Sequence, residues 1–537
     1  MLRRGLWLAL AVLVSCALAQ RAEATAPVFS APQQIGSGLF PKAVMGSNGD
    51  AIVAWGGGRG GIFVARRSAL GGGFTGPVQV GDDGPPLSIA TNARGDIAVA
   101  WTTIWGAEVG QARVAIAPAG GAFGPPEDVP VPSRGPVVHT DDEGRQFTPP
   151  QVAVAADGTV AVGNLETDRG ADVSRTLVSL RPPGGRFGAP QVLSAANVDP
   201  GQPWTSEAKL GADGLGRVYA VWGMGAGGRG WLLSAAESAG RPFGSPRLVS
   251  DLSRQANSEM DLAVNERGDA IATWSSSDPH PAGEPVPGRV EVAELAESGA
   301  WARRPPVTAG DEALGAPRVD INDKGDAIVS WARSGGTATS FRPAGGSFGP
   351  ATSSAFAVDP RLEVPVALDA LGISVAASAA DQVSAQIRVR DDRPELPVAV
   401  SGAGNGLAYT GIAMDRFGNG VITWTEVAAG RQPGYDEAAV MAAAYSALPP
   451  AVDEVRMGKR RLALRSSEAG VARITVRRRH SARKALQSVV LRPGKNAPKL
   501  AKGVRKLVRR KGRYTMTVRT YDAGPRHATY KVKFRRR

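Results

Sequence analysis

The residues whose types could do chemistry are acids, tryptophans and arginines gathered in a few long segments. They are Trp105 and Glu108; His139, Asp141, Asp142, Glu143 and Arg145; Glu166, Asp168 and Arg169; Trp204 and Glu207; and His280. Indole rings beside carboxylates and Arg suit a sugar or another polar polymer, because rings pack on apolar ring faces while charges orient hydroxyls. Two of the acids could also serve as the acid/base pair of glycoside hydrolysis. Taken one at a time, each is better read as an ordinary solvated loop residue. A single Cys and four His leave little for structural disulfides or metal centres, so neither metal nor cofactor is called for. There is no Gly-x-Ser-x-Gly elbow, His-Glu-x-x-His helix or phosphate-binding Gly-Lys-Ser/Thr loop.

These segments interrupt a repeat. Asn48-Gly49-Asp50-Ala51-Ile52-Val53-Ala54-Trp55 is echoed by Arg94-Gly95-Asp96-Ile97-Ala98-Val99-Ala100-Trp101, and the phrase returns around Gly158, Gly216, Gly268, Gly325, Gly372 and Gly418. The glycines are spaced by 46, 63, 58, 52, 57, 47 and 46 residues. An apolar stretch, an x-Gly turn and a second apolar stretch predict a hairpin, with Gly supplying positive φ. A third apolar stretch follows, then a Gly-rich turn and a Phe-x-x-Pro segment beginning at Phe74, Phe123, Phe187 or Phe243. Four strands in about 50 residues match one blade of a β-propeller.

The ends of the repeat test this reading. The eighth copy stops at Pro449 without its fourth strand, while Val28-Phe29-Ser30-Ala31-Pro32-Gln33-Gln34-Ile35 is such a strand without a hairpin before it. A ring closed by the N-terminal strand accounts for both. Seven or eight blades would fit, and the count favours eight. The recurring Trp, Ile and Val then pack between blades. The Asp after the turn Gly (Asp50, Asp96, Asp269, Asp326) is better explained by turn chemistry than by calcium, since other copies replace it.

In such a ring, turns 1→2 and 3→4 share one face and loops 2→3 and 4→1 the other. The first set is short and Gly-rich. The long insertions, 102–111, 131–149, 164–174, 197–208, 251–259 and 275–288, all belong to the second set and carry the residues named at the outset. A binding site is expected on that long-loop face. The repeat departs from the Asp-box of sialidases, Ser-x-Asp-x-Gly-x-x-Trp, because here Asp follows Gly and Trp lies six residues beyond it. Phe341-Arg342-Pro343 comes nearest to their Phe-Arg-Ile-Pro opening, but it falls late in the chain and lacks the Ile.

The two ends of the chain differ from this body. Arg3 and Arg4 precede an apolar run from Leu6 to Leu18, and Ala17-Leu18-Ala19 has the form that signal peptidase cuts. Residues 1–26 therefore read as a signal peptide cleaved near Ala19 or Ala26, with Cys16 in a lipobox-like Leu13-Val14-Ser15-Cys16 as the lipidation alternative. From 451 onward the chain holds 28 Lys+Arg against four acids, net +24, whereas the remainder is net −10. Hydrophobic alternation at period two, as in Ala472-Arg473-Ile474-Thr475-Val476-Arg477, predicts a small sandwich with a basic outer surface. Arg477, Arg478, Arg479, Arg509, Arg510 and Lys511 are its candidate polyanion contacts. A merely self-repelling, soluble surface is the alternative.

Gly512-Arg513-Tyr514-Thr515-Met516-Thr517-Val518-Arg519, with Tyr521-Asp522-Ala523-Gly524, resembles the last strands of bacterial immunoglobulin-like domains. With the Ala/Gly/Arg-rich propeller repeat, the whole is similar to uncharacterised exported repeat proteins of high-GC bacteria. The resemblance spans most of the chain and implies an architecture without specifying an activity. The expectation is thus all-β: an eight-bladed propeller over 27–450 and a basic immunoglobulin-like sandwich over 451–537. The protein would be exported, extracellular or envelope-associated, with no transmembrane span. Its partners would be an envelope polyanion, glycan or protein rather than nucleic acid. The absence of catalytic motifs puts a binding or scaffold role ahead of the alternative, a propeller glycoside hydrolase or lyase, and a purely structural surface role predicts no saturable ligand.

Overall fold

The computed structural model describes residues 28–536 apart from 59, 70–72, 83–86, 104–110, 132–148, 169–172, 198–203, 227–228, 239–240, 279–287, 297–298, 311, 355–362, 371, 380–381, 389–397, 403–405, 417, 428–437, 447–451, 458–460, 467–469, 480, 482, 492–493, 510 and 522–526. The proposed signal peptide, Cys16 and the Pro449–Pro450 boundary lie outside these residues.

Residues 28–446 form eight antiparallel sheets, each a strand-after-strand meander in the described residues. The first sheet runs Leu39–Met45, Ala51–Gly56, Ile62–Arg67 and Val78–Gly81. Each hairpin turns at a glycine with φ between 83° and 94°, from Gly49 through Gly418, a conformation other residues adopt only at a cost. The first strands of successive sheets touch one another. They are Leu39–Met45, Leu87–Thr91, Gln151–Val154, Lys209–Ala212, Gln255–Val264, Ala313–Ile321, Val366–Leu368 and Gly406–Met414, and the last of them touches the first again. The fold is propeller-like, with these strands innermost.

The N-terminal segment completes the ring. Val28–Phe29 and Gln33–Ser37 both pair with Ala439–Ser446, the third strand of the last sheet. This supplies the fourth strand that the last repeat lacks and removes an open edge.

Trp55, Trp101, Trp222, Trp274, Trp331 and Trp424 are all nearly or fully buried. Trp55 packs against Gly36 and Trp101 against Gly81, each glycine on the outer strand of the preceding sheet; a Cβ at either would stand 2.4 Å from the indole Cζ2. The turn acids are used locally. Asp50, Asp96 and Asp326 accept the backbone N–H of Ala69, Ala119 and Ala344 at 2.8, 3.0 and 2.9 Å, tying turn 1→2 to turn 3→4. Asn92, Asn265 and Asn322 donate to the carbonyls of Ala155, Asn322 and Asp369 in the next sheet.

Residues 452–536 build a three-stranded sheet (Val452–Met457, Leu462–Ser466, Gly494–Asn496) and a four-stranded sheet ordered Lys484–Leu491, Gly470–Arg478, Gly512–Tyr521, His527–Arg536. Their shared core includes Leu464, Ile474, Val476, Tyr514, Met516 and Val518. The sequence pattern gave no hint of the helix Lys502–Val508, which adds Val504 and Val508 to that core. Seven residues are too few for a strong helical period, so only tertiary packing makes it helical.

Candidate functional site

Of the long-segment residues, Trp105, Glu108, His139, Asp141, Asp142, Glu143, Arg145, Arg169 and His280 lie outside the described residues, as does Arg510, and Asp168 is described only as part of a strand. The remaining three are placed. Glu166 is not a loop residue: the hairpin Val160–Asp168/Val173–Arg181 extends past it, and its fully buried carboxylate accepts a bond from Arg175 Nη1 at 2.9 Å. Trp204 begins a short strand and packs against Gly223, Gly225 and Gly230. Glu207 stands beside Lys209 Nζ at 3.8 Å, where the inner strand of the fourth sheet begins.

Glu207 leads to a feature that loop lengths do not reveal. Counting seven residues back from each turn glycine gives Lys42, Ser88, Gln151, Lys209, Asp261, Arg318, Pro365 and Gly411. Those on paired strands face equivalent partners, for example Lys42 opposite Ala54, Lys209 opposite Val221 and Asp261 opposite Thr273. The register therefore sets them at one level around the axis, towards the long-loop end.

Their charges meet across sheets. Glu363, just before the inner strand of the seventh sheet, pairs with Arg318 of the sixth and lies 3.7 Å from Lys42 of the first. Arg318 also reaches Asp261 of the fifth sheet at 4.0 Å. Lys42 can cross the eighth sheet because Gly411 stands there without a side chain; a Cβ would lie 2.9 Å from the Pro41 carbonyl. Crowding opposes ionisation of Glu363, but the cations Arg318, Lys42 and Lys209 outweigh it and hold the carboxyl well below the usual range. Lys42 and Glu363 keep 40% and 46% of their side chains exposed, so the cluster stays open to solvent.

An aromatic pair borders it. Phe40 and Tyr409, both at position nine before their turn glycines, approach to 4.1 Å between ring centroids. Both hold left-handed backbone, φ 56° and 52°, at the register shifts that break the inner strands after Leu39 and Ala408. Non-glycine residues in this region store strain of about 1–3 kcal/mol, and such strain gathers at functional sites. Half-buried rings beside pre-paired donors and acceptors can hold a hydroxyl-rich ligand by stacking and hydrogen bonds.

Asp320 lies one step nearer the turns. Its two oxygens accept the backbone N–H of Ile321 (2.8 Å) and of Leu368 on the next inner strand (2.7 Å). Burial raises its pKa to about 7 against the pull of those two bonds, and the charge of Asp261 adds to the rise. Asp261 uses one oxygen in the same way, accepting Val319 N–H at 3.0 Å.

The second candidate surface is the outer face of the four-stranded C-terminal sheet. Arg473, Arg477, Lys484, Arg513, Arg519, Lys531, Lys533 and Arg535 are all exposed, with Thr, Ser and Leu between them and no acid among the described residues of that face. Arg473 lies directly opposite Arg519, Arg477 opposite Lys484 and Arg513 opposite Arg535. Of the described residues expected from runs of charge, Arg477 belongs to this face, and the exposed Arg479 continues its alternation, with its backbone N–H donating to the Arg513 carbonyl at 2.8 Å. Arg478 points the other way and donates to the Lys511 carbonyl at 2.9 Å, and Arg479, Arg509 and Lys511 sit at strand or helix ends. Alternation marked Arg473, Arg519, Lys531 and Lys533, but only the register shows them side by side with Lys484, Arg513 and Arg535.

No protein-family model matches the chain, and no curated protein matches it. Among solved structures, a polysaccharide lyase described as an ulvan lyase shares 10% identity over 74% of this chain and 93% of its own, with a TM-score of 0.43. The BP39L lectin from Burkholderia pseudomallei shares 12% over 69% of this chain and 100% of its own, at 0.47. An α-L-arabinofuranosidase of Fusarium graminearum shares 10% over 67% and 92%, at 0.38. At that distance the chemistry of this chain has to be read from its own residues.

Proposed function

We propose that the chain is an exported two-part binding protein. An eight-bladed propeller over 27–450 holds a polar ligand, glycan or protein, at the long-loop end of its axis. A basic immunoglobulin-like sandwich over 451–537 keeps it on an anionic polymer of the cell envelope. The observation that carries this reading is the cationic sheet face, which has no acid among its described residues. Like charges directly opposed on neighbouring strands cost up to about 1 kcal/mol per pair, a cost that a polyanion removes. The ring Phe40–Tyr409 with Lys42, Lys209 and Glu363 supports a hydroxyl-rich ligand at the other site.

Co-sedimentation of the full chain with purified envelope tests the tether. Binding should be released by high salt and should fall at least about tenfold when Arg519, Lys531 and Lys533 are changed together to Gln. Salt-resistant binding unaffected by the triple change would refute the tether and assign retention to the propeller.

A second reading, a glycoside hydrolase or lyase, has one observation in its favour. Asp320 holds its proton near neutral pH close to Asp261, as an acid partner must. Turnover on a polysaccharide panel that Asp320→Asn abolishes would replace the binding reading with this one.

A further inference from the structure

We infer that the cleft between the fourth and fifth sheets, on the short-turn face, is a binding site for a carboxylated sugar ring. It lies at the opposite end of the fold from the axial cluster and does not depend on the reading above. The cleft encloses about 900 Å³, within the size range of small-ligand sites.

Three departures from the repeat converge on it. One residue after the turn glycine, where four copies carry Asp and three others carry Thr159, Ile373 and Asn419, the fourth copy alone carries a cation, Arg217. Three residues after that glycine, the other seven copies carry Ala, Ile or Val, whereas the fourth carries Tyr219. Where other copies place Phe two residues after a glycine, as at Phe74, Phe123, Phe187 and Phe348, the fifth carries Trp301. All three line the cleft. Local breaches of a repeat's own rule are expected where function overrides packing.

The geometry holds these side chains in place. Asp213, fully buried beneath, accepts from Arg217 Nε at 2.6 Å and from the Tyr219 hydroxyl at 3.0 Å. The Arg217 guanidinium sits 5.6 Å from the Tyr219 ring centroid. Trp301 Nε1 donates across the cleft to Ser234 Oγ at 2.6 Å, which fixes the indole. Arg267 pairs with Asp269 at 2.6 Å and Arg247 donates to the Gly299 carbonyl at 2.6 Å. Arg217, Arg247 and Arg267 thus stand at the rim against Asp269 in the lining and Asp213 beneath it, which leaves the cleft one positive charge in excess among these groups. Each has donors beyond those bonds, since a guanidinium carries five.

Fixed guanidinium groups select a carboxylate, often in bidentate fashion. The indole offers a face for the C–H side of a sugar ring. Ser245 and Asp269 remain at the lining for hydroxyl groups. An acidic peptide would satisfy the arginines but leave the indole without a matching ring.

The test is calorimetric titration of the full chain with digalacturonate and with maltose, in about 0.3 M salt so that the C-terminal basic face contributes little. Digalacturonate should bind saturably at one site, at least about tenfold tighter than maltose. Arg267→Gln should weaken it at least about tenfold with unchanged melting temperature, because that side chain is 55% exposed. Trp301→Phe should weaken it too and abolish any quenching of fluorescence. Glu363→Gln and the Lys531→Gln/Lys533→Gln pair should leave it unchanged, which separates this cleft from the two surfaces of the earlier reading. Absent saturation, equal affinity for maltose, indifference to Arg267→Gln, or tighter binding of a tetraglutamate peptide would each overturn the assignment.

Discussion

Asp320 and Glu363 are both carboxylates near the axis, and their neighbours push them in opposite directions. Glu363 faces Arg318, Lys42 and Lys209 and stays ionised, while Asp320 is enclosed between inner strands and has its pKa raised to about 7. An unfolded aspartate titrates near ~3.9, so the folded chain holds an extra proton between about pH 4 and pH 7. The contribution of Asp320 to stability must therefore fall as pH rises through that window and level off above it. Thermal melts from pH 4 to pH 8 check this. The advantage of the natural chain over Asp320→Asn should shrink steadily towards pH 7, and a constant difference would contradict the assignment. The sequence singled out acids on long insertions, among which Glu207 does reach the axial cluster. It missed Lys42, Arg318 and Glu363 because their partners come from sheets far apart in the chain. Position relative to the turn glycine was the usable signal, and only a known register turns that position into a level around the axis.

The strands were legible because apolar runs and turn glycines recur together, and each chemical role of those residues is local. Trp101 illustrates the limit: its burial was foreseeable, but its seat on Gly81 of the preceding sheet was not. Gly81→Val would push branched carbons into the indole and should destabilise the protein by about 2 kcal/mol or more, read as a lower denaturation midpoint. The C-terminal sheet shows the complementary case. Arg473 opposes Arg519 across one strand pair, so Arg519→Gln should raise the melting temperature in low salt and have little effect in about 1 M salt. A drop in both conditions would mean that the arginine stem packs more than its charge repels. Charge runs pointed to Arg477, Arg478 and Arg479 alike, whereas alternation turns Arg478 away from the other two; period outranks clustering in deciding which cations act together.

At the scale of the molecule, the closing of the ring by its first strand was read from a strand missing at one end and spare at the other. The pairing of Gln33–Ser37 with Ala439–Ser446 bears directly on integrity. Removing residues 28–37 leaves the last sheet with a bare edge, and such a chain should melt at a lower temperature and associate in light scattering, whereas a monomer of unchanged melting temperature would show the strand dispensable. The same pairing dictates the order of events in time. The two partners are separated by almost the whole repeat, so no closed ring exists until the last sheet has been made and delivered. Contacts of such long sequence separation form slowly. During that interval the nascent chain carries an unpaired edge at each end, and two chains at the same stage could complete one another's last sheet. Exchange of the first strand between molecules is the characteristic misassembly this architecture invites at high concentration.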